Sequence, residues 1–237
     1  SFQQKKYGEA IAEYQRVLQK YPNFIEEYPN AYYNQASALF SNGEYKKSLE
    51  MYREFLKRYP TRTESGYAMT RIGEILEILG ADANRVTGVY QETVFRFGET
   101  PSSIVARLRL LSQRMGGMRP KDLEKAVKDI SEIANKSDLP KMQQFATVII
   151  SDGYNQRKEF DKSIDLLVKF YQQNPTTVDT KLFEKRVIKN INDQLKSLIA
   201  DNKYIDVLKI HNKYIDNWLK NTDRVDIKFE IGMAFEQ

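Results

Sequence analysis

The sequence predicts an all-α chain of stacked helix pairs, and three observations carry that prediction. A fifteen-position template recurs along the chain. The apolar positions inside it fall on one helical stripe. A second helical segment with its own stop signal sits between copies, and no stretch alternates with the period of two that a strand requires.

Tyr7-Gly8-Glu9-Ala10-Ile11 leads to Tyr21-Pro22, Tyr45-Lys46-Lys47-Ser48-Leu49 to Tyr59-Pro60, and Phe160-Asp161-Lys162-Ser163-Ile164 to Asn174-Pro175. Three positions after the opening aromatic stands a small residue: Ala10, Ser48 or Ser163. Ile11, Leu49 and Ile164 follow at offset four, and Tyr14, Tyr52 and Leu167 at offset seven. Val17/Leu18, Phe55/Leu56 and Phe170/Tyr171 stand at offsets ten and eleven. This spacing puts the whole set on one face of an α-helix. The small residue admits a neighbouring helix closely. The proline stops the helix, because it lacks an N–H and disfavours helical backbone in the residue before it.

Weaker copies open at Ala83, Leu123 and Tyr204, so the copies start at 7, 45, 83, 123, 160 and 204. The intervening helices are read as Pro29–Ser41, Glu64–Leu79, Ser102–Met115, Pro140–Arg157, Thr180–Ala200 and Asp223–Gln237. Asn42-Gly43 and Gly80 are C-terminal stops for the first two. Met115-Gly116-Gly117-Met118-Arg119-Pro120 is the strongest break and a candidate hinge at 115–120. Residues 1–237 are otherwise read as a single solenoid, a piece of a longer array. Its last half-unit carries Ile227, Ile231 and Phe235 on one stripe, expected to pack on further repeats or another subunit.

The template resembles the tetratricopeptide repeat. That motif has an aromatic, a small-xxx-aromatic segment and a final proline on its second helix, and a Leu-Gly pair on its first. Ile72-Gly73 and Ile231-Gly232 fall where that pair belongs. Every spacing exceeds the usual 34 residues, and Tyr32 stands near the position of the missing tryptophan. The resemblance implies a right-handed superhelical solenoid whose first helices line a groove for a protein or peptide partner. The stretch Tyr21–Ala31 is more loosely similar to tetratricopeptide-like proteins of the bacterial envelope, such as outer-membrane assembly lipoproteins and cell-division or Tol-linked periplasmic factors. That similarity implies a role in assembling a membrane-associated complex in the periplasm.

Catalytic chemistry has little to work with. The 237 residues contain no cysteine and one histidine, His211, at a template position that favours a packed, hydrogen-bonded ring. Gly116-Gly117 lacks the strand and the Gly-Lys-Ser/Thr of a phosphate loop. No enzyme activity, cofactor, metal or small-molecule substrate is expected, and no apolar run reaches the roughly 18 residues of a membrane span. A net charge of +5 is a mild basic tilt, so nucleic acid is not the expected partner. A nucleic-acid-binding helical array, or the targeting arm of an enzyme whose catalytic domain lies outside the chain, remain as alternatives.

In one subgroup of the tetratricopeptide family, residues two positions before the Leu-Gly glycine clamp a C-terminal carboxylate. Here that position holds Arg71, with Asn34 in the preceding repeat and Arg109 as an equivalent further on. Tyr67 stands where a lysine belongs in such a clamp. The partner-binding groove is therefore placed at Tyr33, Asn34, Ser37, Tyr67, Thr70, Arg71, Glu74 and Arg109.

Overall fold

In a computed structural model, residues 2–21, 23–136, 140–174, 180–220 and 225–236 are described. Pro22, Pro175 and Asp223, each cited in the sequence reading, lie outside them. The described residues form helices and turns, with no strand among them. The order is α1 (Phe2–Lys20), α2 (Phe24–Glu27), α3 (Pro29–Ser41), α4 (Tyr45–Arg58), α5 (Thr63–Ile78), α6 (Ala83–Phe97) and α7 (Pro101–Met115). Then follow α8 (Pro120–Asn135), α9 (Pro140–Gln156), α10 (Phe160–Gln173), α11 (Thr180–Ala200), α12 (Tyr204–Tyr214), a π-helical segment (Ile215–Leu219) and α13 (Val225–Glu236). The single-turn α2 occupies the connection between α1 and α3.

The chain divides into two compact units, Ser1–Leu110 and Leu111–Gln237. In the first, α3 packs on α4, α4 on α5 and α5 on α6. In the second, α8 packs on α9, α9 on α10, α10 on α11 and α11 on α12. In the segment read as a hinge, the Met118 carbonyl accepts from Arg157 within the second unit.

The same turn joins first to second helix four times. Glu44 N–H bonds Leu39 O at 2.9 Å, Ala81 N–H bonds Leu76 O at 2.9 Å, Glu159 N–H bonds Tyr154 O at 3.0 Å, and Lys203 N–H bonds Leu198 O at 2.8 Å. Each spans five residues, the wide bond of a Schellman motif, and each needs a left-handed residue before the donor. Those residues are Gly43 (φ 84°), Gly80 (φ 67°), Lys158 (φ 61°) and Asn202 (φ 58°). Glycine adopts this conformation without strain and asparagine tolerates it, whereas lysine holds it at a cost. After Gly80 the next helix starts one residue later, and Asp82 Oδ1 caps it by accepting from Asn84 N–H at 2.9 Å and Arg85 N–H at 3.3 Å.

At the far ends, Tyr59 (ψ 61°) and Asn174 (ψ 52°) leave the helical region just before their prolines.

The template stripe is the core. Leu49, Tyr52, Phe55, Val86, Tyr90, Leu123, Ile130, Ile164 and Leu167 are all buried. Where paired helices cross, small residues meet. Ser48 Oγ donates to Ala36 O and Ser163 Oγ to Ser151 O, both at 2.8 Å. Ser48, Ala36, Ser151 and Ser163 are all fully buried. Asn190 Nδ2 of α11 joins the second crossing, 3.0 Å from Ser151 Oγ and 2.7 Å from Ser163 Oγ. Between α5 and α6 the first-helix partner is Gly73, where a Cβ would stand 2.4 Å from the Tyr90 ring.

His211 is packed as expected, with its ring edge-on to Phe235 at 6.4 Å, but its buried Nδ1 has no hydrogen-bond partner among the described residues. Of the last apolar stripe, Ile227 is buried in the second unit's own core and Ile231 packs against it. Phe235 is 67% exposed.

Two substitutions test this account. Gly73→Ala forces a methyl into a ring that is fully buried and lowers stability by about 2 kcal/mol; a urea midpoint equal to that of the parent would contradict it. Lys158→Gly relieves the left-handed backbone and raises stability by up to about 1 kcal/mol, seen as a higher melting temperature.

Candidate functional site

The first helices α3 and α5 carry most of the residues assigned to the groove, and the structure separates them into three roles. Tyr33 and Ser37 serve the core. The Tyr33 ring lies 5.7 Å from both Tyr52 and Phe55, and Ser37 Oγ is 2.8 Å from Tyr52 Oη. Thr70 is buried and lines no surface. Its hydroxyl donates to Gly66 O at 3.0 Å and to Ser102 O at 3.2 Å, linking α5 to α7. Asn34 and Tyr67 face solvent.

The remaining three form one ion cluster. Arg71 Nη1 donates to Glu74 Oε2, and Arg109 Nη2 reaches Glu74 Oε1 at 3.1 Å. Arg109 Nη1 also lies 3.7 Å from Glu77 Oε2. The Arg71 guanidinium stands over the Phe40 ring, 4.7 Å from its centre. Burial works against the charge on both arginines, yet Glu74, joined by Tyr52 and Tyr33 at Arg71 and by Tyr90 and Glu77 at Arg109, holds both pKa values above the usual range.

The sequence reading brought Arg71, Arg109 and Glu74 to one place but did not pair them. The spacing of three between Arg71 and Glu74 was a legible signal. The reach of Arg109 from α7 was not, because it depends on how helices stack. Phe40 and Glu77 were missed for the same reason.

Beneath the cluster, burial pushes the Tyr52 hydroxyl up to about 12, with the Ser37 hydrogen bond opposing the shift. Burial also drives the Tyr90 hydroxyl well above its ordinary range.

The second unit has its own concavity, of about 600 Å³, between α10, α11 and the α12–π segment. Val168, Ile188 and the edge-on pair Tyr171–Trp218 (5.7 Å) line it, with Asp165 and Lys213 at its rim. Its first helices carry cross-linked charges as well. Arg186 lies 3.1 Å from Asp152, and Asn155 and Lys189 both bond Asp193, at 2.7 and 2.6 Å.

Among the described residues no group of three or more histidine, aspartate or glutamate side chains could hold a metal ion. No helix among them is long and apolar enough to cross a membrane.

Helix pairs joined by one repeated turn and crossing at small residues define a helical-repeat protein. The model of the family described as "Tetratricopeptide repeat" matches residues 1–23 and 30–62. No curated protein matches the sequence. Similar solved structures include nearly identical TPR-like repeats of a Podosopora anserina kinesin light chain, at 11% identity and a TM-score of 0.48, covering 82% of this chain and 97% of that one. A tetratricopeptide repeat protein from Parabacteroides merdae is similar at 13% identity and a TM-score of 0.46, covering 98% and 99%. Repeats of this family generally serve as non-catalytic scaffolds for protein–protein interaction.

The Tyr52 hydroxyl gives a test of the packing under the cluster. Its folded pKa lies above the unfolded value, so its contribution is complete below about pH 10 and is lost as pH rises toward about 12. Tyr52→Phe costs about 1 kcal/mol at neutral pH by removing the bond to Ser37. The variant should also lose less stability than the parent between pH 8 and 11 in urea titrations; an unchanged pH dependence would contradict the assignment.

Proposed function

We propose that the chain is a non-enzymatic scaffold that binds a protein or peptide partner along the first-helix face of its N-terminal unit. One observation carries this reading. Asn34, Tyr67 and Arg71 present a polar and aromatic strip on two successive first helices, while the neighbouring aromatics are committed to the core. Such a surface offers amide, guanidinium and phenol donors to a backbone laid across it.

Charge pairing favours a protein over nucleic acid as the partner. Arg71, Arg109, Arg186 and Lys189, all on first helices, each contact a carboxylate of this chain. Phosphate binding draws on cations whose counter-ions are mobile, and fixed internal carboxylates blunt that gain.

A finer reading follows the Tyr21–Ala31 resemblance: the scaffold helps assemble a membrane-associated complex of the bacterial envelope. A signal peptide or lipid-attachment motif in the full-length gene supports it, and a cytosolic start with no leader removes it.

The groove is tested with the partner identified by affinity capture from the native cell. Asn34→Ala and Arg71→Ala should each weaken its binding by at least about tenfold, measured by isothermal titration calorimetry. Lys46→Ala, an exposed change on α4, should leave it unaltered. Unchanged affinity in both groove variants would remove the site.

A further inference from the structure

Glu74 occupies the place an anionic ligand of this face would take. Its two oxygens go to different arginines on different helices, Oε2 to Arg71 of α5 and Oε1 to Arg109 of α7. With Glu77 beside Arg109, two guanidiniums meet two carboxylates and the cluster is neutral overall. The Glu74 side chain is 9% exposed, whereas Arg71 is 43% exposed. The carboxylate therefore lies beneath, with the cations above it.

An incoming carboxylate would find the bridging position filled. It would also bring a third negative charge beside Glu74 and Glu77, where burial weakens screening by water. An uncharged segment meets no such penalty. A guanidinium has five N–H donors, and Glu74 engages Arg71 only through Nη1. The Phe40 ring lies 4.7 Å from the centre of that guanidinium, and Tyr67 stands exposed on the same helix.

We propose that Glu74 is a specificity-determining residue: an internal counter-anion that closes the α3–α5–α7 face to carboxylate-bearing ligands, free C-termini included, and selects an uncharged internal segment. The identity of the ligand rests on the groove reading given above; the occupation of the two arginines by Glu74 does not.

The test uses N-acetylglycinate as a minimal chain terminus and N-acetylglycinamide as its uncharged counterpart. The Nε–Hε resonances of Arg71 and Arg109 are followed by NMR in the full chain. In the parent protein neither compound should shift them saturably. In Glu74→Gln the glycinate alone should shift both, with affinity at least about tenfold above the parent, as expected when a charge-assisted bond is opened to a ligand. Circular dichroism checks the fold, and Glu74→Ala replaces the glutamine variant if that one is unfolded. Saturable glycinate binding at these resonances in the parent overturns the proposal, and so does a folded Glu74 variant that gains none. Either result leaves the groove itself to be judged by the Asn34 and Arg71 variants, so the two ideas fail separately.

Discussion

The close crossing of paired helices is the constraint on which the other features depend. Ser48 against Ala36 and Ser163 against Ser151 bring two backbones near enough for a side-chain hydroxyl to bond a main-chain carbonyl. Gly73 does the equivalent by leaving room for the Tyr90 ring. A larger residue at any of these points would push the helices apart and withdraw Tyr52, Tyr90 or Leu167 from the neighbours that bury them. The bond also relieves the cost of placing a serine hydroxyl in an apolar interior. Once the crossing is fixed, the stripe of template residues has only one surface to face.

Those features were legible because they are local. The opening aromatic, the small residue and the proline stop recur at constant offsets, and a helix converts constant offsets into a constant face. Gly43 and Gly80 announced their turns for the same reason. Lys158 did not, because the turn there is imposed by the helices on either side rather than by the residue's own preference. The Ser151–Ser163–Asn190 network was hidden as well: Asn190 belongs to the following repeat, and its partners emerge only once three helices are stacked.

The candidate site divides along the same line. The sequence singled out Arg71 and Glu74 on α5, which stand one helical turn apart and pair with each other. It gave a wrong impression of Thr70, whose hydroxyl is spent on joining α5 to α7. It was silent on charge balance, because Arg109 reaches Glu74 from a helix 35 positions further on. A list of basic residues on a surface thus says little about its potential until the carboxylates beneath it are placed.

The four repeated turns carry a consequence for how the chain folds. Each closes a helix pair through a bond spanning five residues, and the serine crossings join positions twelve apart. Structure built from such short-range contacts loses little loop entropy before its core begins to form. Any pair with an intact turn and crossing therefore serves as a nucleus, and neighbouring pairs add to it. The order of events would follow the strength of individual pairs rather than position along the chain. The α9–α10 pair, with its buried serine–asparagine network but a strained Lys158 turn, sets packing gain directly against backbone cost at such a starting point.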